Sequence, residues 1–328
     1  MKKDLCLFIV LLFPLIFLSG CSGEKDVAET DSCSGITREA LGAEQAVTLS
    51  DDEITKFREN APEGMSFIPG GLTQIGSEAG LPVEKPVFKT HINSFYMDQN
   101  LVTVGEFREF VEATGYQTFS DIIGDGLVFD FDNAQWIIQK GVNWEYPLGK
   151  SNPKADDDHP VTLLTIEDAE AYLDWVGKRL PTEFEWEHAA RGITDRDNRY
   201  AWGTELIVDG EHMANTWNGQ FPVENVADDG YLMTSPVGSF GETELGLTDM
   251  GGNVWEWTSS WMRPYDQLDE AFEPGPNSEK VIRGGSFMCH DSYCHGYRVS
   301  ARSGTPPDNN MFHIGFRGVL DIEKSAGQ

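Results

Sequence analysis

From Phe88 to Met97 hydrophobic and polar positions alternate, Phe88-Lys-Thr-His-Ile-Asn-Ser-Phe-Tyr-Met97, the period of a half-buried strand. Val104 to Ala113 switches to the helical period and predicts an amphipathic helix. A second helix is predicted over Thr165 to Gly177, where Ile166, Ala169, Tyr172, Leu173 and Val176 share one face. Thr165 followed by Asp168 gives it a capping-box start. A third begins at Pro181-Thr182-Glu183, with Thr182 placed to cap and Phe184, Trp186 and Ala189 following. Beyond Arg191 the periodicity gives way to Gly, Asn, Asp, Trp and Pro. Irregular backbone of that length needs tying down, and metal ions do this well.

The front of the chain has a different pattern. Lys2 and Lys3 precede an apolar run from Leu5 to Leu18, too short to span a bilayer comfortably and shaped like a secretory signal. It ends in Leu18-Ser-Gly-Cys21, which resembles a bacterial lipobox. Residues 1–20 are therefore expected to be a lipoprotein signal peptide, with Cys21 acylated as a membrane anchor. Ser22 stands where an aspartate would signal inner-membrane retention. An exported bacterial lipoprotein is expected, facing the periplasm or the cell surface, in the outer membrane. Residues 21–62 read as an acidic flexible tether with one short helix near its end, and Cys33 within it as an unpaired thiol. Residues 63–322 form the globular domain and 323–328 a tail.

With 54 Asp and Glu against 24 Lys and Arg, the chain carries a formal charge of −30. That disfavours nucleic acid and anionic lipid surfaces as partners and suits hard cations bound through carboxylates. Simple solubility accounts for most of it.

Candidate chemistry concentrates in sulfur. Of five cysteines, only Cys289 and Cys294 lie in the globular part, in Arg283-Gly-Gly-Ser-Phe-Met-Cys289-His-Asp-Ser-Tyr-Cys294. A structural disulfide, a metal site and a redox centre all fit such a pair. Separation by five positions is compatible with a disulfide, and an exported chain meets oxidising conditions.

Five strings occur in order: Gly177-Lys-Arg-Leu-Pro-Thr-Glu-Phe-Glu-Trp-Glu187, Tyr200-Ala-Trp-Gly203, Gly246-Leu-Thr-Asp-Met-Gly-Gly-Asn-Val-Trp-Glu-Trp257, Arg283-Gly-Gly-Ser286 and His313-Ile-Gly-Phe-Arg317. Together they resemble the formylglycine-generating enzyme, or sulfatase-modifying factor, family over Gly64 to Leu320. The resemblance implies an irregular α+β fold, low in regular secondary structure and related to the C-type lectin fold. It implies a copper-dependent oxidase that converts a cysteine in a Cys-x-Pro-x-Arg context of an unfolded or nascent sulfatase polypeptide to Cα-formylglycine with molecular oxygen. Cys289 and Cys294 match the active-site cysteines, and two thiolates are soft donors suited to copper(I). By the same resemblance Ser286 and Tyr293 are polar residues beside the copper and oxygen pocket, and Trp255 lines it. Trp257 is expected to pack, His290 to hydrogen-bond or touch substrate, and Arg298 and Arg302 to neutralise acidic surroundings.

Two calcium sites are implied as well. The first would use the side chains of Asn215 and Asp229 with the carbonyls of Thr216 and Tyr231. The second would use Asp249 and Glu256 with the carbonyls of Gly252 and Val254. Such mixed oxygen donors in glycine-rich loops suit calcium. The chain also departs from the family pattern. Leu173, Ala190, Val299 and Gly318 stand where relatives of the eukaryotic secretory route have disulfide cysteines, and His313 where asparagine is common, which puts one substrate-pocket hydrogen bond in question. The main alternative is a non-catalytic, lectin-like binding lipoprotein of the same fold. An iron-dependent oxidase like the sulfoxide synthases would need an additional His-rich helical region, and none stands before Gly64.

Overall fold

A computed structural model describes residues 49–192 and 198–322, so the signal segment, Cys21, Cys33 and the tail lie outside the described residues. Elements in chain order are α1 (Asp51–Glu59), β1 (Met65–Ile68), β2 (Gly71–Ile75), β3 (Phe88–Ile92), β4 (Phe95–Asp98), α2 (Val104–Thr114), α3 (Phe119–Ile123), β5 (Asp125–Asp130) and β6 (Gln135–Lys140). They continue with α4 (Ile166–Trp175), α5 (Glu183–Arg191), β7 (Ile207–Val208), β8 (Glu211–His212), β9 (Trp255–Trp261), β10 (Lys280–Arg283), β11 (Arg302–Thr305), β12 (Ile314–Gly315) and β13 (Val319–Asp321).

Each α-helix starts on a Ser or Thr whose hydroxyl accepts the amide three residues on, while the acid at that position reaches back to the cap. These capping boxes satisfy two otherwise orphan amides per helix and explain why the three predicted helices begin where expected. The predicted strand over Phe88–Met97 is in fact two. β3 pairs antiparallel with β2, whereas β4 sits between β1 and β13 in a three-stranded sheet. Every residue of β4 is buried, so its alternation in sequence reflects no exposed face. The break falls at Asn93-Ser94, where the Ser94 hydroxyl accepts from the Gly70 amide at 2.8 Å.

The helix foreseen near the end of the tether is α1. It lies against the β1–β4 sheet, with Phe57 stacked on Phe67 at 5.7 Å and the Tyr96 hydroxyl donating to the Phe57 carbonyl at 3.1 Å. Folded structure therefore begins before residue 63.

The main core gathers α2, α4 and the four-stranded sheet β11-β10-β9-β12 around Phe107, Tyr172, Trp257 and Phe316. Each such ring contributes about 2 kcal/mol by leaving water. Trp257 is fully buried and donates to the Leu164 carbonyl at 3.2 Å, a packing role as expected. Apolar contact stands where family relatives have disulfides. A Cβ built on Gly318 would lie 2.6 Å from Leu173 Cδ2, and Ala190 and Val299 are buried in one shared cluster.

Behind the site lies a lattice of buried ion pairs: Arg283 and Arg191 on Glu187, Arg298 on Glu84, Arg302 on Glu183 and Arg317 on Glu256. These hold distant stretches of irregular chain in register. Arg298 and Arg302 thus neutralise particular buried glutamates.

Candidate active site

The cysteine loop leaves β10 at Arg283, whose guanidinium is fully buried on Glu187 and over the Trp186 ring at 5.3 Å. Gly284 and Gly285 follow with φ of 89° and 72°. A Cβ on Gly285 would lie 2.6 Å from the Tyr297 amide, so only glycine lets the chain fold back so tightly. The turn drives Ser286, Phe287, Met288 and Cys289 into the core, all at most 1% exposed.

Ser286 organises the next turn. Its carbonyl accepts from the Cys289 amide at 2.8 Å, its hydroxyl from the Met288 amide at 3.3 Å, and its own amide points at Cys289 Sγ at 3.3 Å. The His290 carbonyl then accepts from the amides of Tyr293, Cys294 and His295 at 2.9 to 3.1 Å. This tight turn returns Cys294 to Cys289 with their Cα atoms 5.2 Å apart and the sulfurs joined as a disulfide. Two separate thiolates were expected for copper. In this structure the pair is oxidised, so it could receive a metal only after reduction. Once reduced, the pair fits copper(I) chemically. Cys289 is a buried soft donor whose sulfur an amide already faces, and Cys294 is only half-buried, leaving that side open to substrate.

Trp255 opens β9 and shares the hydrophobic cluster of Cys289. Its ring covers Gly296, where a Cβ would come within 2.5 Å. Tyr293 is placed differently from Ser286. It is 47% exposed and stacks on Phe221 at 4.0 Å, whereas Ser286 is fully buried. His290 turns into its own loop, with Nδ1 2.7 Å from Ser292 Oγ and 3.0 Å from Asp291.

Sequence reasoning missed one part of this wall, Trp217, and placed another, His313, at the substrate pocket without foreseeing its contacts. Trp217 donates its amide to the Cys289 carbonyl at 3.0 Å and stacks on Phe131, but it sits inside a string read only for calcium. His313 accepts the Trp255 amide on its carbonyl at 2.9 Å, and its ring meets Trp136 edge-on at 4.9 Å. Its Nδ1 is buried without a hydrogen-bond partner. Burial pushes the His313 pKa down to about 3, so the ring is neutral. The aromatic density of 129–136 and 217–221 was the available signal.

The implied calcium loops lie side by side, since the Asn253 amide donates to the Asn215 carbonyl at 2.9 Å. In the first, Asp229 accepts from the amides of Thr216 and Tyr231 at 2.9 and 3.0 Å. Burial raises its pKa against those two donors. The Asn215 side-chain nitrogen donates to the Met233 carbonyl, while its Oδ1 is buried and orphaned. An orphaned oxygen beside a desolvated carboxylate fits a hard cation.

The second set, Asp249, Gly252, Val254 and Glu256, fits less well. Both Glu256 oxygens already accept from Arg317, at 2.7 and 3.1 Å. Burial nevertheless raises the Glu256 pKa, with Arg317 opposing. Asp249 accepts from the Gly238 amide at 2.7 Å, Thr248 Oγ1 at 3.1 Å and Asn253 Nδ2 at 3.3 Å. Among the described residues no group of three or more His, Cys, Asp or Glu side chains could hold a metal, so any ion here would depend on backbone carbonyls.

Comparison with known proteins gives a concordant picture. The sulfatase-modifying factor enzyme 1-like domain matches residues 50–322. The formylglycine-generating enzyme of Streptomyces coelicolor is 39% identical over 294 residues, covering 82% of this chain and 93% of that protein. Its namesake from Bos taurus is 40% identical over 292 residues, covering 82% of this chain and 78% of that protein. Among solved structures, PvdO from Pseudomonas aeruginosa superposes with a TM-score of 0.58 at 24% identity, covering 79% of this chain and 94% of that one. That likeness speaks to the fold alone, and it agrees with an irregular α+β architecture.

Proposed function

The chain belongs to the sulfatase-modifying factor family of formylglycine-generating enzymes, and from that premise we propose that it oxidises a sulfatase cysteine to Cα-formylglycine, using molecular oxygen and copper(I) at Cys289 and Cys294. The observation that carries the reading is the loop that brings these two cysteines together, one buried and one reachable. Copper(I) on the reduced pair would supply oxygen activation.

The chain's own residues do the rest. The Ser286 amide faces the Cys289 sulfur and favours its thiolate. Trp255 and Trp217 limit water around the pair. Removing one hydrogen from the substrate's β-carbon and one from its sulfur gives a thioaldehyde, with oxygen accepting the two electrons and two protons at the level of hydrogen peroxide. Water then adds, and hydrogen sulfide leaves as the aldehyde forms. The substrate must be unfolded or nascent for its cysteine to reach this loop.

The test uses a peptide with a Cys-x-Pro-x-Arg core, copper(I), oxygen and a thiol reductant, read by mass spectrometry. Conversion of thiol to aldehyde is expected. Cys289→Ser and Cys294→Ser should each abolish it, because one thiolate cannot hold the ion in two-coordinate geometry, and Cys33→Ser should leave it intact. The joined sulfurs favour a second reading, a non-catalytic binding lipoprotein. In that case both serine variants should keep the chain's cellular role, and copper affinity should be negligible.

Calcium at Asn215, Thr216, Asp229 and Tyr231 is part of the proposal, supported by the orphaned Asn215 oxygen. Anchoring of an exported lipoprotein through Cys21 rests on the lipobox-like string alone. Cys21→Ala should block acylation and leave either an uncleaved precursor or a soluble product, and a correctly cleaved variant that pellets as strongly as wild type would defeat that part.

A further inference from the structure

The hairpin β5–β6 has two unlike edges. On the β5 side the Leu127 amide donates to the Asn310 carbonyl and the Leu127 carbonyl accepts from the Phe312 amide, both at 3.1 Å, so that edge is sealed. On the β6 side no strand among the described residues pairs with Gln135-Trp-Ile-Ile-Gln-Lys140. Native proteins blunt such an edge with charge, proline or a bulge. β6 has no proline, its register with β5 is continuous, and its one charge, Lys140, is at the end. Ile138 in the middle is 72% exposed.

This edge is continuous with the candidate active site. Trp136 of β6 meets His313 at 4.9 Å, whose carbonyl holds Trp255. Phe129, paired with Trp136 across the hairpin, meets Phe221 at 5.8 Å, and Phe221 stacks on Tyr293 beside Cys294. One ring, Phe221, separates the hairpin from the cysteine loop.

We propose that the open edge of β6 is a docking strand for an extended segment of the unfolded substrate polypeptide flanking its reacting cysteine. The inference rests on the function proposed above and specifies how that substrate is held. An unfolded chain brings unsatisfied amides and carbonyls whatever its sequence, and main-chain pairing on a sheet edge captures them without demanding particular side chains. Six residues of β6 offer a run of about 20 Å at roughly 3.3 Å per residue. Ile138 gives the incoming strand one apolar contact. A folded substrate, its backbone already paired, would be refused.

Amide hydrogen exchange on the wild-type chain tests this, with a peptide of about twenty residues centred on the Cys-x-Pro-x-Arg core, long enough to cover the strand. The alternate amides of residues 135–140 that face away from β5 should exchange about tenfold more slowly with peptide present, as hydrogen-bonded strand amides do. Two further peptides carry backbone N-methyl groups in the flank, on one alternate set of residues or on the other. Because only one set of amides can face β6, one series should raise KM about tenfold at unchanged kcat, and the other should be harmless. Ile138→Lys should raise KM with kcat kept.

Turnover without any change in β6 exchange, or equal kinetics for both methylated series, overturns the inference and leaves the oxidase reading standing. β6 protection without formylglycine keeps the docking strand and defeats the oxidase reading instead. Protection that grows with protein concentration in the absence of peptide would assign the edge to a second copy of the chain and overturn the proposal.

Discussion

The two sides of the cysteine loop handle buried polarity in opposite ways. Behind it, the charges of Glu84, Glu183, Glu187 and Glu256 are met by arginines recruited from Arg191 to Arg317. Some nitrogens and one oxygen in that lattice lack hydrogen bonds, but the charges themselves are balanced, and Arg283 also stacks on Trp186. In front, Asn215 Oδ1, Thr216 Oγ1 and His313 Nδ1 are buried with nothing to bond. The rear balances its charges within the chain, while the front leaves uncharged polar atoms without partners. One side is scaffold, and the other is where calcium and substrate are proposed to bind.

Breaking the scaffold should have the largest effect. Arg302→Ala removes the partner of Glu183, which is 2% exposed. An uncompensated buried charge costs about 3–5 kcal/mol. Urea unfolding should show a loss of that size, equal with calcium and with chelator. A loss below about 1 kcal/mol, the range of an exposed pair, would show that the lattice is not what holds the rear together.

The front should respond to calcium instead. Metal that binds only the folded chain adds about 2.7 kcal/mol at a hundredfold excess over Kd, so chelation should lower the melting temperature of the wild type. Asp229→Ala should lower it as well and remove most of the sensitivity to chelator. Asp249→Ala should leave that sensitivity largely intact, because Arg317 already balances Glu256 beside it. Loss of chelator sensitivity in Asp249→Ala but not in Asp229→Ala would reverse the ranking of the two loops.

Sequence patterns revealed the scaffold more readily than the site. Capping boxes at Thr103, Thr165 and Thr182 are local, so α2, α4 and α5 were legible from a few residues. The Phe88–Met97 break was not, because β4, flanked at its edges by β1 and β13, is buried on both faces, Phe95 and Met97 in one cluster and Tyr96 in another. The cysteine pair stood out by rarity, and the family strings around it identified the domain. Its joined state did not follow from spacing, since it depends on the turn around the His290 carbonyl. Trp217 escaped as part of the wall because it joins it by tertiary contact, to the Cys289 carbonyl; His313 was placed at the substrate pocket by the resemblance, but its contact with the Trp136 ring was not legible. The pairing of Glu256 with Arg317 was equally invisible, the two lying 61 positions apart.

The smallest predicted effect tests how dry the front is at His313. His313 is buried and neutral, its pKa pushed down to about 3 by desolvation, whereas an unfolded chain binds that proton near pH 6.5. Between those values the unfolded state holds the extra proton, so stability rises with pH and falls as pH drops from about 6.5 toward 3. For one histidine the loss from pH 6 to pH 5 is about 1 kcal/mol. His313→Asn removes that proton uptake and should flatten the profile by that amount. His295, pushed down to about 4 by burial and by Arg298 and Arg199, continues to contribute in both proteins. Asparagine also restores a donor and an acceptor at a position whose Nδ1 has neither partner. A variant with the same slope as wild type would mean that His313 takes up its proton in the folded state, with solvent or another group reaching Nδ1, and the front of the site would then be less dry than its burial indicates.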